Sequence, residues 1–131
     1  MKNILILCKE NLARSIMTEA LIKFNFANKV NCYSAGIEKD KDLDTNTLKA
    51  IKEFGITTDD LYSKTIKELD HIKFDLIVTV CEDENIPKSL ANIKTVHIEF
   101  GDPQGKKFFE YLKTMNNINT TLIPQLKELL K

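Results

Sequence analysis

No stretch of this chain approaches the roughly 18–20 consecutive apolar residues that a membrane span requires. The N-terminal apolar run, residues 4–7, is also far shorter than the ~7–15-residue core of a secretory signal. Export is therefore not expected, and a cytoplasmic location is. Excess charge is missing too. Nineteen basic and nineteen acidic residues cancel, which removes the field that draws a protein to nucleic acid or to an anionic membrane. Cysteine is scarce and odd in number. Cys8, Cys32 and Cys81 are too few for a disulfide scaffold and too widely spaced for a zinc pattern, which leaves catalysis, redox work or plain burial. His71 and His97 have no second His or Cys nearby, so no metal site is expected. Internal repeats, low-complexity segments and linkers are absent as well. What remains is a chain of 131 residues, 43% apolar and 29% charged. It is long enough for one buried core and too short for two, so residues 1–131 read as a single soluble domain.

Hydrophobic patterning gives that domain its class. Residues 3–7 (NILIL) and 75–80 (DLIVTV) are continuous apolar runs, as expected of strands buried on both faces. Residues 30–34 and 95–100 read as two further strands. Helical spacing appears at residues 13–25, 44–54, 106–115 and 121–130, with Asp44 or Thr45 as an N-cap, Gly55 as a stop, and Pro124 marking a first turn or a kink. The sign-alternating stretch 38–44 reads as a solvated loop or helix entry. Phe108, Phe109 and Tyr111 read as core and rim packing. Strands and helices alternate, which predicts an α/β domain: a four-stranded parallel sheet with helices on both faces, of flavodoxin-like order. Ligands in such a sheet bind beyond the carboxyl ends of the strands. Cys8, Cys81 and Asp102 each follow a predicted strand, so all three are expected at one rim.

The segment CKENLARS, residues 8–15, joins the first strand to the first helix. A loop of this length can curl its backbone N–H groups around one point, an anion nest at a helix N-terminus. The expected oxyanion-binding residues are Lys9, Glu10, Asn11, Leu12, Ala13, Arg14 and Ser15. Arg14 adds a planar fork for two oxygens of a tetrahedral anion. The same positive field lowers the pKa of Cys8 and makes its thiolate available as a nucleophile. Ser15 is placed to donate its hydroxyl to that thiolate, and Asn11 suits a left-handed backbone position. Composition sharpens this: the chain has eighteen lysines and a single arginine, Arg14. Lysine serves wherever charge alone matters, and arginine stands where bidentate geometry would. Glu10 runs against the pattern, because a carboxylate beside an anion nest weakens it unless it points away or Lys9 compensates.

The motif C-x5-R-S after a first strand resembles the low-molecular-weight protein tyrosine phosphatase superfamily. The segments Tyr33-Ser34-Ala35-Gly36-Ile37-Glu38, Val78-Thr79-Val80-Cys81 and Phe100-Gly101-Asp102-Pro103-Gln104-Gly105-Lys106 resemble its arsenate reductase branch, across essentially the whole chain. Phosphatase members carry an aromatic pair after their Asp-Pro, which is missing here. The resemblance implies that Cys8 attacks arsenic while Asp102 protonates the departing hydroxyl, a task for which chemistry independently requires a general acid. Arg14 and the loop amides would stabilise the equatorial oxygens. Cys81 would then attack the adduct, releasing arsenite and leaving a Cys8–Cys81 disulfide. Electrons come from thiols, so no bound cofactor is implied. An external reductant is implied instead, thioredoxin or a glutathione-like low-molecular-weight thiol. A monomer with an arsenate- or phosphate-like substrate is expected, and a role in arsenic resistance.

Two departures from that pattern bear on function. Thioredoxin-coupled members carry a third cysteine seven residues after the position of Cys81, and here that position is Lys88. The disulfide then stops at Cys8–Cys81, or an external thiol attacks the adduct, or Cys32 substitutes, although Cys32 lies inside a strand and reads as buried. Some members bind potassium through residues matched by Asn11, Glu19 and Ser34. Their acidic fourth ligand aligns with Lys64, whose ammonium would replace the ion. The rivals to a reductase are a phosphatase working through phospho-Cys8, and a non-catalytic anion-binding module in which Glu10 has spoiled the nest.

Overall fold

The computed structural model describes residues 1–38, 43–82 and 86–131. Most of the expected solvated loop at 38–44 thus lies outside the described residues. The elements are β1 (Lys2–Glu10), α1 (Arg14–Asn25), β2 (Val30–Glu38), α2 (Thr45–Glu53), a 3-10 turn at Ile66–Leu69, β3 (Leu76–Thr79), a second 3-10 turn at Lys88–Leu90, β4 (Thr95–His97) and α3 (Phe108–Leu129). The four strands form one parallel sheet in the order β2-β1-β3-β4, the flavodoxin-like arrangement expected from the alternation.

Alternation along the central strand sorts the core into two layers. Ile4, Ile6 and Cys8 point to one face with Leu76 and Val78, where Met17, Leu21, Ile51, Met115, Ile118 and Leu122 from the three α-helices cover them. Leu5, Leu7 and Ile77 point to the other, under Leu69, Phe74 and the partly buried Ile66, Leu90 and Ile93. The second face is therefore closed by the 3-10 turns rather than by full helices. Among the described residues no helix is long and apolar enough to cross a membrane.

Several local expectations hold. Asp44 caps α2, its side chain accepting from the Asn46 N–H, and Gly55 ends that helix's turn with φ +76°, a left-handed angle open to glycine. Others are corrected. The two late helices are one, α3, running through residues 116–120. The polar stretch Asn116-Asn117-Ile118-Asn119-Thr120 breaks the composition but not the stripe, since Tyr111, Met115, Ile118, Leu122 and Leu126 are all buried at helical spacing. Pro124 sits inside α3 on its exposed side, where the carbonyl it leaves unpaired can be met by water. Phe109 is exposed rather than packed, while Tyr111 is buried and donates its hydroxyl to Asp44. Asn11 is not left-handed: the one non-glycine residue with positive φ among those described is Asn28.

Candidate active site

The first strand runs three residues further than its apolar pattern suggested. Pairing with β2 continues through Cys8 opposite Gly36 and Glu10 opposite Glu38, so Cys8 lies within its strand rather than following it. Only Asn11, Leu12 and Ala13 then separate β1 from α1. The segment 8–15 is accordingly not a free loop along its whole length. Its first half is strand, and its second half enters the helix at Arg14.

The rim nevertheless assembles as topology requires. Cys8 and Cys81, 73 residues apart, are joined in a disulfide. A cleft of about 120 Å³ opens beside it, lined by Cys8, Lys9, Glu10, Ala13, Arg14, Cys81, Glu82, Asp102 and Gln104. Of the predicted oxyanion residues, Lys9, Glu10, Ala13 and Arg14 reach this cleft. Glu10 thus lines the cleft, with Lys9 beside it. Asn11, Leu12 and Ser15 do not line it and are buried. The Ser15 hydroxyl accepts from Asn11 Nδ2 at 2.9 Å and makes no hydrogen bond to Cys8 in this disulfide form.

Arg14 is the electrostatic centre of the rim. Its side chain is only 10% exposed. Nη1 donates to Glu82 Oε1 at 2.7 Å and to the Phe100 carbonyl at 2.8 Å, while Nη2 lies 3.7 Å from Asp102 Oδ2. The hydrogen bond from Arg14 holds the Glu82 carboxyl below the usual carboxylate range. Asp102 is held in turn, its Oδ1 accepting from the Gln104 N–H at 3.0 Å, so the Asp-Pro turn and the ion pair coexist. Sequence reasoning missed Glu82, Gln104 and the Phe100 carbonyl. For Glu82 one signal existed: it directly follows Cys81, so a bond between Cys81 and Cys8 must bring its carboxylate to the same rim.

A second polar group lies under the loop, away from solvent. Glu19, on α1, accepts from the Ser34 N–H and hydroxyl. It also faces two ammonium groups, Lys23 and Lys64, whose Nζ is 3.4 Å away. Asn11 ties this group to the rim loop, its Oδ1 accepting from the Lys64 N–H at 3.0 Å. These donors do not fit a potassium ion. The one carboxylate already faces two ammonium groups, and their charge repels a further cation.

The low molecular weight phosphotyrosine protein phosphatase family model matches residues 3–131. The chain belongs to that family. Within it the chain is similar to curated arsenate reductases. One from Brevibacillus brevis is 37% identical, covering 92% of this chain and 91% of the relative. Arsenate reductase 1 of Staphylococcus epidermidis is 34% identical, covering 92% of each. Among solved structures, the arsenate reductase from Archaeoglobus fulgidus superposes with a TM-score of 0.77 at 29% identity, covering 97% of this chain and 98% of that one. An arsenate reductase in the phosphate-binding state shares the fold at a TM-score of 0.83 and 20% identity, covering 99% and 97%.

Within this phosphatase-family fold, the geometry removes one of the three options for the missing third cysteine. Cys32 pairs with Ile4 in the sheet, whereas Cys8 pairs with Gly36. The two thiols are thus four residues apart along the strands, roughly 13 Å. Cys32 is also buried and free, and burial, reinforced by Glu19, pushes its thiol pKa well up. It has neither the reach nor the thiolate character to enter the relay.

Proposed function

We propose that this chain is an arsenate reductase that works with two of its own thiols and one external reductant. The observation that carries the reading is the Cys8–Cys81 disulfide at the mouth of a cleft holding the only arginine. Its family membership and the arsenate reductases it resembles support the choice of substrate.

In the proposed sequence, reduced Cys8 attacks arsenic as thiolate and forms an S–As bond. Asp102 gives its proton to the departing oxygen, which leaves as water. Arg14, with Lys9 and the amides of residues 9–15, balances the charge on the remaining oxygens, and Glu10 opposes them. Cys81 thiolate then attacks Cys8 sulfur. The S–As bond breaks with its electron pair on arsenic, As(V) becomes As(III), and arsenite departs as the disulfide closes. Two thiols have supplied two electrons, and the resulting bond must be reduced from outside. With Lys88 in place of a third cysteine and Cys32 out of reach, the reductant, thioredoxin or a glutathione-like thiol, meets the Cys8–Cys81 bond itself. All of these groups belong to one chain, which acts as a monomer in the cytoplasm. Lys64 provides in cis the positive charge that a cation would bring to Glu19, so turnover needs no potassium.

The test is a single turnover of reduced protein with arsenate, followed by intact and peptide mass spectrometry. Arsenite release with a mass loss of two hydrogens and a Cys8–Cys81 cross-link is the expected result. Hydrolysis of an aryl phosphate with both thiols still free would replace the reductase by a phosphatase working through phospho-Cys8.

A further inference from the structure

Among the described residues the counter-charge closest to Arg14 comes from Glu82, a residue covalently next to Cys81. That adjacency has a mechanical consequence. Whatever carries the Cys81 sulfur to Cys8 also carries the Glu82 carboxylate to the guanidinium, and the two contacts occur together here: the disulfide, and the 2.7 Å hydrogen bond from Arg14 Nη1. We propose that Glu82 is a built-in competitor for the oxyanion, which occupies Arg14 when the Cys8–Cys81 bond forms and so makes disulfide and bound anion mutually exclusive.

Three features of the contact support this role over that of a static brace. The partners are unequally buried: the Arg14 side chain is 10% exposed and that of Glu82 is 58% exposed. A guanidinium so enclosed requires an anion at all times, because leaving it unpaired is costly. The carboxylate has no such need, since in the open it is readily hydrated and free to leave. Among the described residues the other acceptors replace it only in part, as Phe100 offers a neutral carbonyl and Asp102 forms the longer ion pair, at 3.7 Å. Finally, a carboxylate and a tetrahedral oxyanion compete for the same positive charge and the same donors: Nη1 is already committed to Glu82 and to the Phe100 carbonyl, so an anion that takes Nη1 must displace one of them. Arsenate and phosphate are alike in shape and charge. An oxidised enzyme that kept its fork free would fill with phosphate over the bond its reductant must reach. Glu82 closes that route, and opens it again when reduction releases Cys81.

Binding and redox state are then linked, and each must shift the other by the same factor. The proposal rests on Arg14 being the anion's fork, but not on arsenate being the substrate, so inorganic phosphate serves as probe. Wild-type and Glu82→Gln proteins are titrated with phosphate by calorimetry, each as dithiol and as disulfide, with the redox state verified by mass. Oxidised Glu82→Gln is expected to bind phosphate at least threefold more tightly than oxidised wild type, while the reduced pair differs by less than twofold. Without phosphate, the equilibrium of the Cys8–Cys81 bond with glutathione should move three- to tenfold toward dithiol in the variant. Equal affinity of the two oxidised proteins overturns the role given to Glu82, as does an equal gain in both redox states. A reduced wild type that binds no phosphate has a different meaning, because it removes the oxyanion site itself and the reading of Arg14 with it.

Discussion

Two charged groups flank the short connection between β1 and α1, and they are built on opposite principles. At the rim, Arg14 meets Glu82 and Asp102, carboxylates that are 58% and 42% exposed. Beneath it, Glu19 and Lys64 face one another with side chains 2% and 3% exposed, tied by Asn11 and Ser34. The rim has one buried cation with exchangeable anionic partners. The lower group has a buried anion whose partners are fixed by the sheet and by α1. An ion pair open to water is worth little and can be traded for substrate, whereas one closed to water is expensive to break and can only hold shape. The first suits chemistry, the second positions the loop that performs it.

The largest effect that would separate the two belongs to the nucleophile. Cys8→Ser should lower arsenate turnover on the order of 10⁴-fold or more while leaving the urea midpoint of the reduced protein nearly unchanged. Next, Asp102→Asn should slow formation of the first adduct about 10²- to 10³-fold, as stopped-flow quenching with mass detection would show. The lower group should respond in the reverse sense. Lys64→Met should cost about 3 kcal/mol of stability by urea denaturation, with much of that loss recovered in the double variant Glu19→Gln/Lys64→Met. Glu82→Gln at the rim should cost no more than about 1 kcal/mol in the same assay. If Lys64→Met proved as mild as Glu82→Gln, the contrast between fixed and exchangeable charge would fail.

The smallest effect concerns the hydrogen bond from the Tyr111 hydroxyl to Asp44. Burial, and after it Asp44, pushes the Tyr111 hydroxyl up to about 12 from its ordinary value near 10. The folded chain then keeps a proton that the unfolded chain gives up between those values, so stability is retained below pH 10 and falls as pH rises toward 12. Urea midpoints measured across that interval should decline for the wild type and decline less for Tyr111→Phe.

The residues at the rim were legible to very different degrees. Cys8 and Arg14 stand with five residues between them in a segment that joins a buried strand to a helix, so their spacing alone pointed to an anion site. Cys81 and Asp102 could be assigned to the same rim because parallel strands present their carboxyl ends on one side. Glu82 was legible only through its neighbour: it follows Cys81, but nothing in its own type marks it until the disulfide brings it to Arg14. Asn11 was read as a turn-former, yet its side chain proved to be the link between Ser15 and Lys64, a contact spanning 53 residues. The same distinction separates the helices. The patterns of α1 and α2 were read close to their true bounds, while α3 was cut in two because Ile118 stands alone among polar neighbours. Only its packing against the core shows that one buried residue per turn is enough.

The sequence by itself determined the class of the sheet, its order within a few choices, and the proposed nucleophile and its arginine. These follow from local patterning and from the chirality of parallel crossovers, which need no knowledge of distant contacts. Tertiary structure alone decided which carboxylate holds Arg14, that Lys64 neutralises Glu19, and that Cys32 is beyond reach of Cys8. Each of those is a pairing of charges or thiols across many residues, and its strength depends on burial, a quantity that exists only once the chain has closed around it.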